Sequence, residues 1–243
     1  MCTNYTPTAR DRFKASRLGV AHLPVRDWPP EVFPGYEAPI VVQSGDDALR
    51  LEIAKFGLMP RWSRDPAQAQ QIGRGAYNAR SETAAQKPSF RSAWRERQWA
   101  LAPMESYFDP MWEDAASNGG KSVRWRIARA DGDPFACAAL WERWSDKTTG
   151  DIITSFSLLT VNADGHALCG RLYRPGDEKR MPVIIAANDY DAWLHATPEQ
   201  AQAFMRTTPA ELLVGGPAPR AAPRAAQVRP VRPENVQINI ELF

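Results

Sequence analysis

The chain reads as an α+β domain in which strands outweigh helices. Three features carry that reading: apolar residues alternating with charged ones at a period of two, two well-marked helix starts near the C-terminus, and no linker-like composition between them. With 243 residues, 44% hydrophobic and 24% charged, the sequence can bury a real core and is taken as one domain over residues 1–243. No apolar run is long enough to cross a bilayer and no charged-then-apolar leader opens the chain, so a cytoplasmic protein is expected. Thirty Lys and Arg against 28 Asp and Glu leave +2, too little for global charge to select a polyanion.

Leu49, Leu51 and Ile53 alternate with Arg50, Glu52 and Lys55, as in a strand buried on one face. Val123, Trp125 and Ile127 alternate with Arg124 and Arg126, and Asp131-Gly132 then predicts a hairpin into the apolar run 135–141. Thr149-Gly150-Asp151 predicts a second hairpin into 152–161, and 182–187 reads as a further buried strand. Thr197-Pro198-Glu199-Gln200 and Thr208-Pro209-Ala210-Glu211 each place Thr at the cap, Pro at the first helical position and Gln or Glu three residues on. Residues 215–233, with five prolines, four arginines and no acid, read as an extended surface connection. Val236, Ile238, Ile240 and Leu242 then alternate, as if a last strand returned to the fold.

Several common chemistries are missing from the pattern. Gly119-Gly120-Lys121-Ser122 lacks the earlier glycine of a phosphate loop, because residue 115 is Ala. There is no HExxH, no metal-spaced Cys/His cluster and no dinucleotide fingerprint, so neither metal nor cofactor is expected. His22, His166 and His195 are too scattered to mark a Ser/His/Asp site. Cys2, Cys137 and Cys169 are odd in number and read as reduced thiols, with Cys137 in an apolar run and therefore core.

Cys2 is chemically distinctive. Removal of Met1 leaves an α-amine and a thiol on one short framework, and such a 1,2-aminothiol traps aldehydes. The amine forms an imine, and the thiol closes a five-membered thiazolidine that resists hydrolysis. A terminal amine titrates near 7.7 to 8.0, so about a tenth is neutral at pH 7, whereas a lysine amine near 10.4 would need strong desolvation.

Cys2 stands with Phe56-Gly57-Leu58-Met59-Pro60-Arg61-Trp62, Asn78-Ala79-Arg80-Ser81-Glu82-Thr83, residues 103–110 and Arg180-Met181-Pro182-Val183-Ile184. In this order they resemble the SRAP family, whose members attach covalently to abasic sites in single-stranded DNA. The resemblance implies a β-rich, partly barrel-like core surrounded by helices, with Met1 removed and Cys2 joined to the ring-opened sugar aldehyde. It implies that Asn78 helps to hold the reacting sugar and that Arg80 binds phosphate. Two apart on an extended segment, they project to one face. Between Arg61 and Arg97 lie eight basic residues against Asp65, Glu82 and Glu96, interleaved with Trp62, Tyr77, Phe90 and Trp94. That mixture suits a single strand, where cations follow phosphates and aromatic faces stack on bases. Phe90 and Trp94, four apart, read as core, and Trp62 as the stacking or wedge residue. Arg61, Trp62, Arg80 and Glu82 are therefore the DNA-contact candidates, with an abasic single strand as partner and a monomer expected.

The chain departs from the family pattern in three places. Where the family shows Pro-Ala-Asp-Gly-Phe-Tyr-Glu-Trp, this chain has Pro103-Met104-Glu105-Ser106-Tyr107-Phe108-Asp109-Pro110. The catalytic glutamate thus falls on Asp109, one methylene shorter, with Glu105 as the rival carboxylate. The family histidine before Arg-Met-Pro is missing. Tyr173 takes its place if residues 175–178 are an insertion, Glu178 if they are not, and His166 is the nearest imidazole. A tyrosine titrating near 10 donates a hydrogen bond but is a poor base at neutral pH. Thr3-Asn4 replaces Gly-Arg, removing a cation beside the nucleophile. Two other classes fit a terminal cysteine: an N-terminal-nucleophile cysteine amidohydrolase or peptidase, which would release an acid and an amine, and a noncovalent single-stranded DNA-binding module.

Overall fold

The computed structural model describes residues 3–43, 48–112 and 119–218. Eleven strands run in chain order: β1 (Asn4–Pro7), β2 (Glu37–Gln43), β3 (Leu49–Phe56), β4 (Asn78–Arg80), β5 (Trp99–Met111), β6 (Val123–Arg129), β7 (Phe135–Ser145), β8 (Ile152–Asn162), β9 (Arg180–Pro182), β10 (Ile184–Ile185) and β11 (Leu213–Pro217). Strands β5, β7, β8, β3 and β2 pair in a closed circuit, because β2 returns to β5 at Val41 and Leu101. The expected α+β fold with a barrel core is what forms. Closure leaves those five strands without a free edge to template aggregation.

β7 shows why its sequence is an apolar run rather than an alternation. Ala136, Cys137, Ala138 and Ala139 are all fully buried, so both faces of the strand are covered. Part of the cover is a tryptophan cluster involving two short helices, α2 (Arg91–Arg95) and α3 (Tyr190–His195). Trp99 lies 5.0 Å from Trp94 and 4.9 Å from Trp193, centroid to centroid. The buried indole N–H groups of Trp193 and Trp99 donate to the carbonyls of Ala100 and Ala196 at 2.9 and 2.8 Å. The cluster therefore buries large apolar area without stranding those donors.

The Thr149-Gly150-Asp151 hairpin forms, with Ser145 opposite Ile152 and Gly150 at φ 77°. The Asp131-Gly132 hairpin does not. Both β6 and β7 run antiparallel to β5, β6 along Tyr107–Met111 and β7 along Trp99–Met104, so the two point the same way. The Asp-Gly turn is a jog of a few residues in one line of pairing, since a 13-residue strand can serve two partners end to end. The predicted strand over 182–187 is split into β9, paired with β8, and β10, paired with β7.

The Thr197 cap forms with its full capping box. Thr208 does not cap. Pro209 takes the cap position of a single 3₁₀ turn, because Leu213 onward is drawn into pairing with β6. An unpredicted helix, α1 (Pro66–Gly75), begins at Asp65, whose side chain accepts the Gln68 N–H at 2.8 Å. The alternation over 236–242 and all but the first residues of the Pro/Arg stretch lie outside the described residues.

α1 rests on Gly57, the second residue of the Phe56–Trp62 motif. Gly57 has φ 123°, and a β-carbon there would meet the Gly73 carbonyl oxygen at 2.4 Å. Backbone conformation and close approach both require glycine. Gly57→Ala should cost about 3 kcal/mol, read by urea denaturation; a loss within 0.5 kcal/mol would show that α1 can move away freely.

Candidate active site

β1 lies antiparallel to β5, with Asn4 opposite Phe108 and Tyr5 opposite Tyr107. That register carries the preceding residue, Thr3, toward Asp109. Thr3, Asn4, Phe108, Asp109 and Pro110 all line one cavity of about 540 Å³, completed by Tyr77, Ser122, Arg124 and Tyr173. Cys2 lies outside the described residues, but it is bonded to Thr3, a wall residue of this cavity.

Asp109 is the chemically unusual group. It is 2% exposed, and burial pushes its carboxyl up to about 6, against a hydrogen bond from Tyr173 that favours the charged form. Tyr173 reaches it because Leu172 bridges Met111 and the Tyr173 N–H donates to the Pro110 carbonyl at 2.7 Å. Those bonds hold Tyr173 at φ 66°, a conformation costing a non-glycine residue on the order of 1 kcal/mol. Of the two candidates for the missing histidine's place, Tyr173 stands in the cavity. Glu178 does not line it.

The remaining candidates are spread more widely. Glu105 pairs with Arg12 and accepts the Ala9 N–H at 3.4 Å, away from the cavity lining. His166 accepts the Leu168 and Cys169 N–H groups at Nδ1 and meets the Thr208 carbonyl through Nε2 at 2.7 Å. These contacts fit the neutral Nε2–H tautomer and tie His166 to its own loop, apart from Asp109. Asn78 and Arg80 lie on β4, with Ala79 fully buried between them, and Asn78 follows the cavity residue Tyr77. Burial holds the Cys137 thiol far above its usual value and raises Cys169 to about 11, so neither is a ready thiolate.

A second cluster joins two of the motifs. Arg180 is 2% exposed and donates to Glu82 at 2.8 Å, to Glu178 at 2.6 Å and to the Thr160 carbonyl at 2.6 Å. Burial works to raise Glu82, but the Arg180 hydrogen bond leaves it below its ordinary value. Glu178 also pairs with Arg80 at 2.6 Å. Arg80, the phosphate candidate, is thus half-exposed but already faces a carboxylate. Arg61 is tied to buried Glu142 through its backbone N–H and Nε and to Glu96 through its guanidinium. Trp62 is 46% exposed, its indole N–H donating to the Pro88 carbonyl at 3.0 Å, which leaves part of its ring face open. Phe90 and Trp94 are buried, as expected of core.

Sequence reading missed Arg124. It projects from β6 into the cavity wall, pairs with Glu31, and lies with its guanidinium 3.4 Å from the centre of the Phe108 ring. Glu31 also accepts from the Asn4 amide. The cation absent from position 4 is therefore present beside it, supplied from another strand. Its signal was the Arg124/Arg126 alternation, which fixes a face but not what that face meets. Among the described residues no group of His, Cys, Asp and Glu could hold a metal ion, and no helix is long and apolar enough to cross a membrane.

The architecture is thus a closed barrel flanked by an N-terminal strand that starts beside a buried carboxyl. The family profile described as SOS response associated peptidase (SRAP) matches residues 1–220, and the chain belongs to that family. A crystal structure of a Bordetella bronchiseptica protein is 30% identical, covering 90% of this chain and 100% of that one, with a TM-score of 0.80. A Bacteroides thetaiotaomicron structure at 23% identity and TM-score 0.74, covering 88% and 90%, shares the fold. Among curated proteins, the chain is 27% identical to the abasic site processing protein YoaM of Bacillus subtilis, over 64% of this chain and 63% of that protein. It is 26% identical to the abasic site processing protein YoqW of the same organism, over 71% and 70%.

The raised Asp109 carboxyl has a stability cost with a definite sign. Its ordinary value is 3.8 and its folded value about 6, so the folded state holds the proton more tightly. The linked stability is full below about pH 4 and is lost as pH rises through 6, reaching roughly 3 kcal/mol above pH 7. Asp109→Asn should therefore be more stable than the parent by about 1–3 kcal/mol at pH 7.5, with the gain vanishing at pH 4. Urea denaturation at both pH values checks this, and a variant weaker at pH 7.5 would contradict it.

Proposed function

We propose that this chain captures abasic sites in single-stranded DNA covalently, as a thiazolidine between Cys2, freed of Met1, and the sugar aldehyde. The observation that carries the proposal is the cavity shared by Asp109, whose carboxyl titrates near 6, and Thr3, the residue bonded to Cys2. The names of the Bacillus relatives support the lesion as substrate.

In the proposed reaction the Cys2 amine adds to C1′ of the open sugar, and the resulting carbinolamine loses water to give an imine. The Cys2 sulfur then adds to the imine carbon and its proton passes to nitrogen, closing the ring with no further leaving group. Protonated Asp109 delivers the proton that lets water depart, and its carboxylate accepts one from the incoming amine or thiol. A group titrating at 6 is available in both forms near neutral pH. Tyr173 orients Asp109 by donating to it and does not serve as the base. Arg80 and Arg124 supply cations for flanking phosphates, Asn78 an amide for the sugar, and the exposed Trp62 a face for a base. The lesion is selected by its reactivity, because an intact nucleotide offers no aldehyde.

The purified protein, incubated with an abasic single-stranded oligonucleotide, should give a band that survives a denaturing gel and an intact mass equal to protein without Met1 plus DNA minus one water. Cys2→Ala should abolish it, and Cys137→Ala and Cys169→Ala should leave it intact. Persistence in Cys2→Ala, or release of an acid and an amine from a peptide substrate without any DNA adduct, would overturn the proposal in favour of amide hydrolysis. Asp109→Asn should slow adduct formation by about 10²–10⁴ and remove a fall in rate below about pH 6. Trp62→Ala should weaken noncovalent strand binding by roughly 1–3 kcal/mol while leaving the adduct yield at saturating DNA unchanged.

A further inference from the structure

Two chain segments lead from the cavity wall to one ion cluster. The first runs from Tyr77 into β4, which ends at Arg80, and the second runs from Tyr173 through residues 174–179 to Arg180 at the start of β9. Glu178 joins them. One of its carboxylate oxygens accepts from Arg180 at 2.6 Å, and the other pairs with Arg80 at 2.6 Å.

The two arginines are not equivalent. The Arg180 side chain is buried and spends its other donors on the Thr160 hydroxyl at 3.1 Å, the Thr160 carbonyl at 2.6 Å and Glu82 at 2.8 Å, which fixes it. The Arg80 side chain is half-exposed, and among the described residues Glu178 is the carboxylate with which it pairs. Glu178 is thus held by a buried cation and presented to an open one. Glu82 already pairs with Arg180, so the second carboxylate exceeds what burial of one guanidinium requires. Two arginines against two glutamates make the cluster formally neutral, and as it stands it offers a phosphate no net attraction. Without the Glu178 charge the same cluster would carry a net positive charge beside the cavity.

We propose that Glu178 stands in for a DNA phosphate on Arg80 in the free protein and is displaced from it when a strand binds. The proposal rests on the function inferred above, in that it takes Arg80 as a phosphate contact. Displacement needs only side-chain rotation, because both members of the pair are partly exposed and such a pair is weak. The carboxylate competes with every phosphate alike, so it holds down the grip on undamaged strands. Retention of a strand is left to the covalent step, which an intact nucleotide cannot take.

The test measures binding of an intact, lesion-free single strand by fluorescence anisotropy from 50 to 300 mM salt. The proteins compared are the full-length parent, Glu178→Gln, Arg80→Gln and the double variant; glutamine keeps the side-chain length and an acceptor for Arg180. Glu178→Gln should tighten binding about three- to tenfold at 100 mM salt and steepen the slope of log K against log salt by about 0.7, as one further phosphate is neutralised. In the Arg80→Gln background the same change should lose most of that gain, whereas a charge acting only at a distance would give it in both backgrounds. Unchanged or weaker binding in Glu178→Gln, or an equal gain with and without Arg80, would overturn the proposal. Circular-dichroism melts show whether the variants stay folded; if Glu178→Gln does not, Glu178→Asp, which draws the carboxylate back from Arg80, takes its place and should tighten binding at least about twofold. A parent that grips the intact strand through Arg80 but forms no adduct on an abasic one would overturn covalent capture and leave this assignment standing. An adduct formed by a parent whose strand binding ignores Glu178→Gln would do the reverse.

Discussion

The pairing of β1 with β5 is the constraint on which the site depends. A chain terminus is ordinarily the least ordered part of a domain, and a nucleophile placed there would sample many positions. Here the strand that begins at Asn4 is held from both sides. β5 supplies one ladder, and Val32 exchanges two backbone hydrogen bonds with Tyr5 on the other. Tyr5 is fully buried, edge-on to Phe56 at 5.5 Å, so sliding the strand by one residue would drive this ring out of the core. Glu31, next to Val32, grips Asn4 and Arg124 together. Order at residues 4 and 5 holds Thr3 in the wall of the cavity that Asp109 also lines.

The same core that fixes position also sets the electrostatics. Buried charges in this protein are paired where they serve architecture, as with Arg180 between Glu82, Glu178 and Thr160, and Glu142 under Arg61 and Ser92. Pairing makes removal of either partner costly without making the pair a large source of net stability. Asp109 is treated differently. Desolvation there outweighs both the positive charge and the Tyr173 hydrogen bond that oppose it, so the carboxyl keeps its proton to higher pH. A structural carboxylate would be better served by a cation; one that has to exchange protons near neutral pH would not.

Much of this was legible in the sequence where the period of the pattern was local. The strand at 49–56, the 146–151 hairpin and the Thr197 capping box follow from neighbours a few residues apart. Closure of the barrel was not, because the pairing of Val41 with Leu101 joins residues sixty positions apart and leaves no local trace. The Asp131-Gly132 turn was misread because a dipeptide specifies a bend but not which strand the chain pairs with afterwards. Thr208 failed as a cap because β11 competes for the following residues. Among site residues, the motifs singled out Asp109 and Tyr173, yet only tertiary structure brings them to one cavity and sends Glu105 to Arg12 and His166 to its own loop. Arg124 was invisible as a site residue, since an alternating arginine is ordinarily a solvated face.

Two of the three departures from the family pattern, Asp109 and Tyr173, meet in one cavity, and in the proposed reaction their coincidence has a chemical logic. A histidine next to a glutamate divides proton transfer between two groups, each titrating near its useful range. Replacing the imidazole by a phenol removes the second such group, because a phenol ordinarily titrates near 10. In the proposed reaction both the proton that expels water and the one taken from the nucleophile must then pass through Asp109. A carboxyl at its ordinary 3.8 would be almost wholly ionised and a poor donor. One raised to about 6 by burial is protonated in about a tenth of molecules at pH 7 and serves in either direction. The shorter side chain fits the same account: Asp109 is buried in the cavity wall, and Tyr173, whose N–H donates to the Pro110 carbonyl, lines the same cavity. Under the proposed reaction the two changes belong together, since a tyrosine beside an ordinary carboxylate would leave no group that donates a proton near neutral pH.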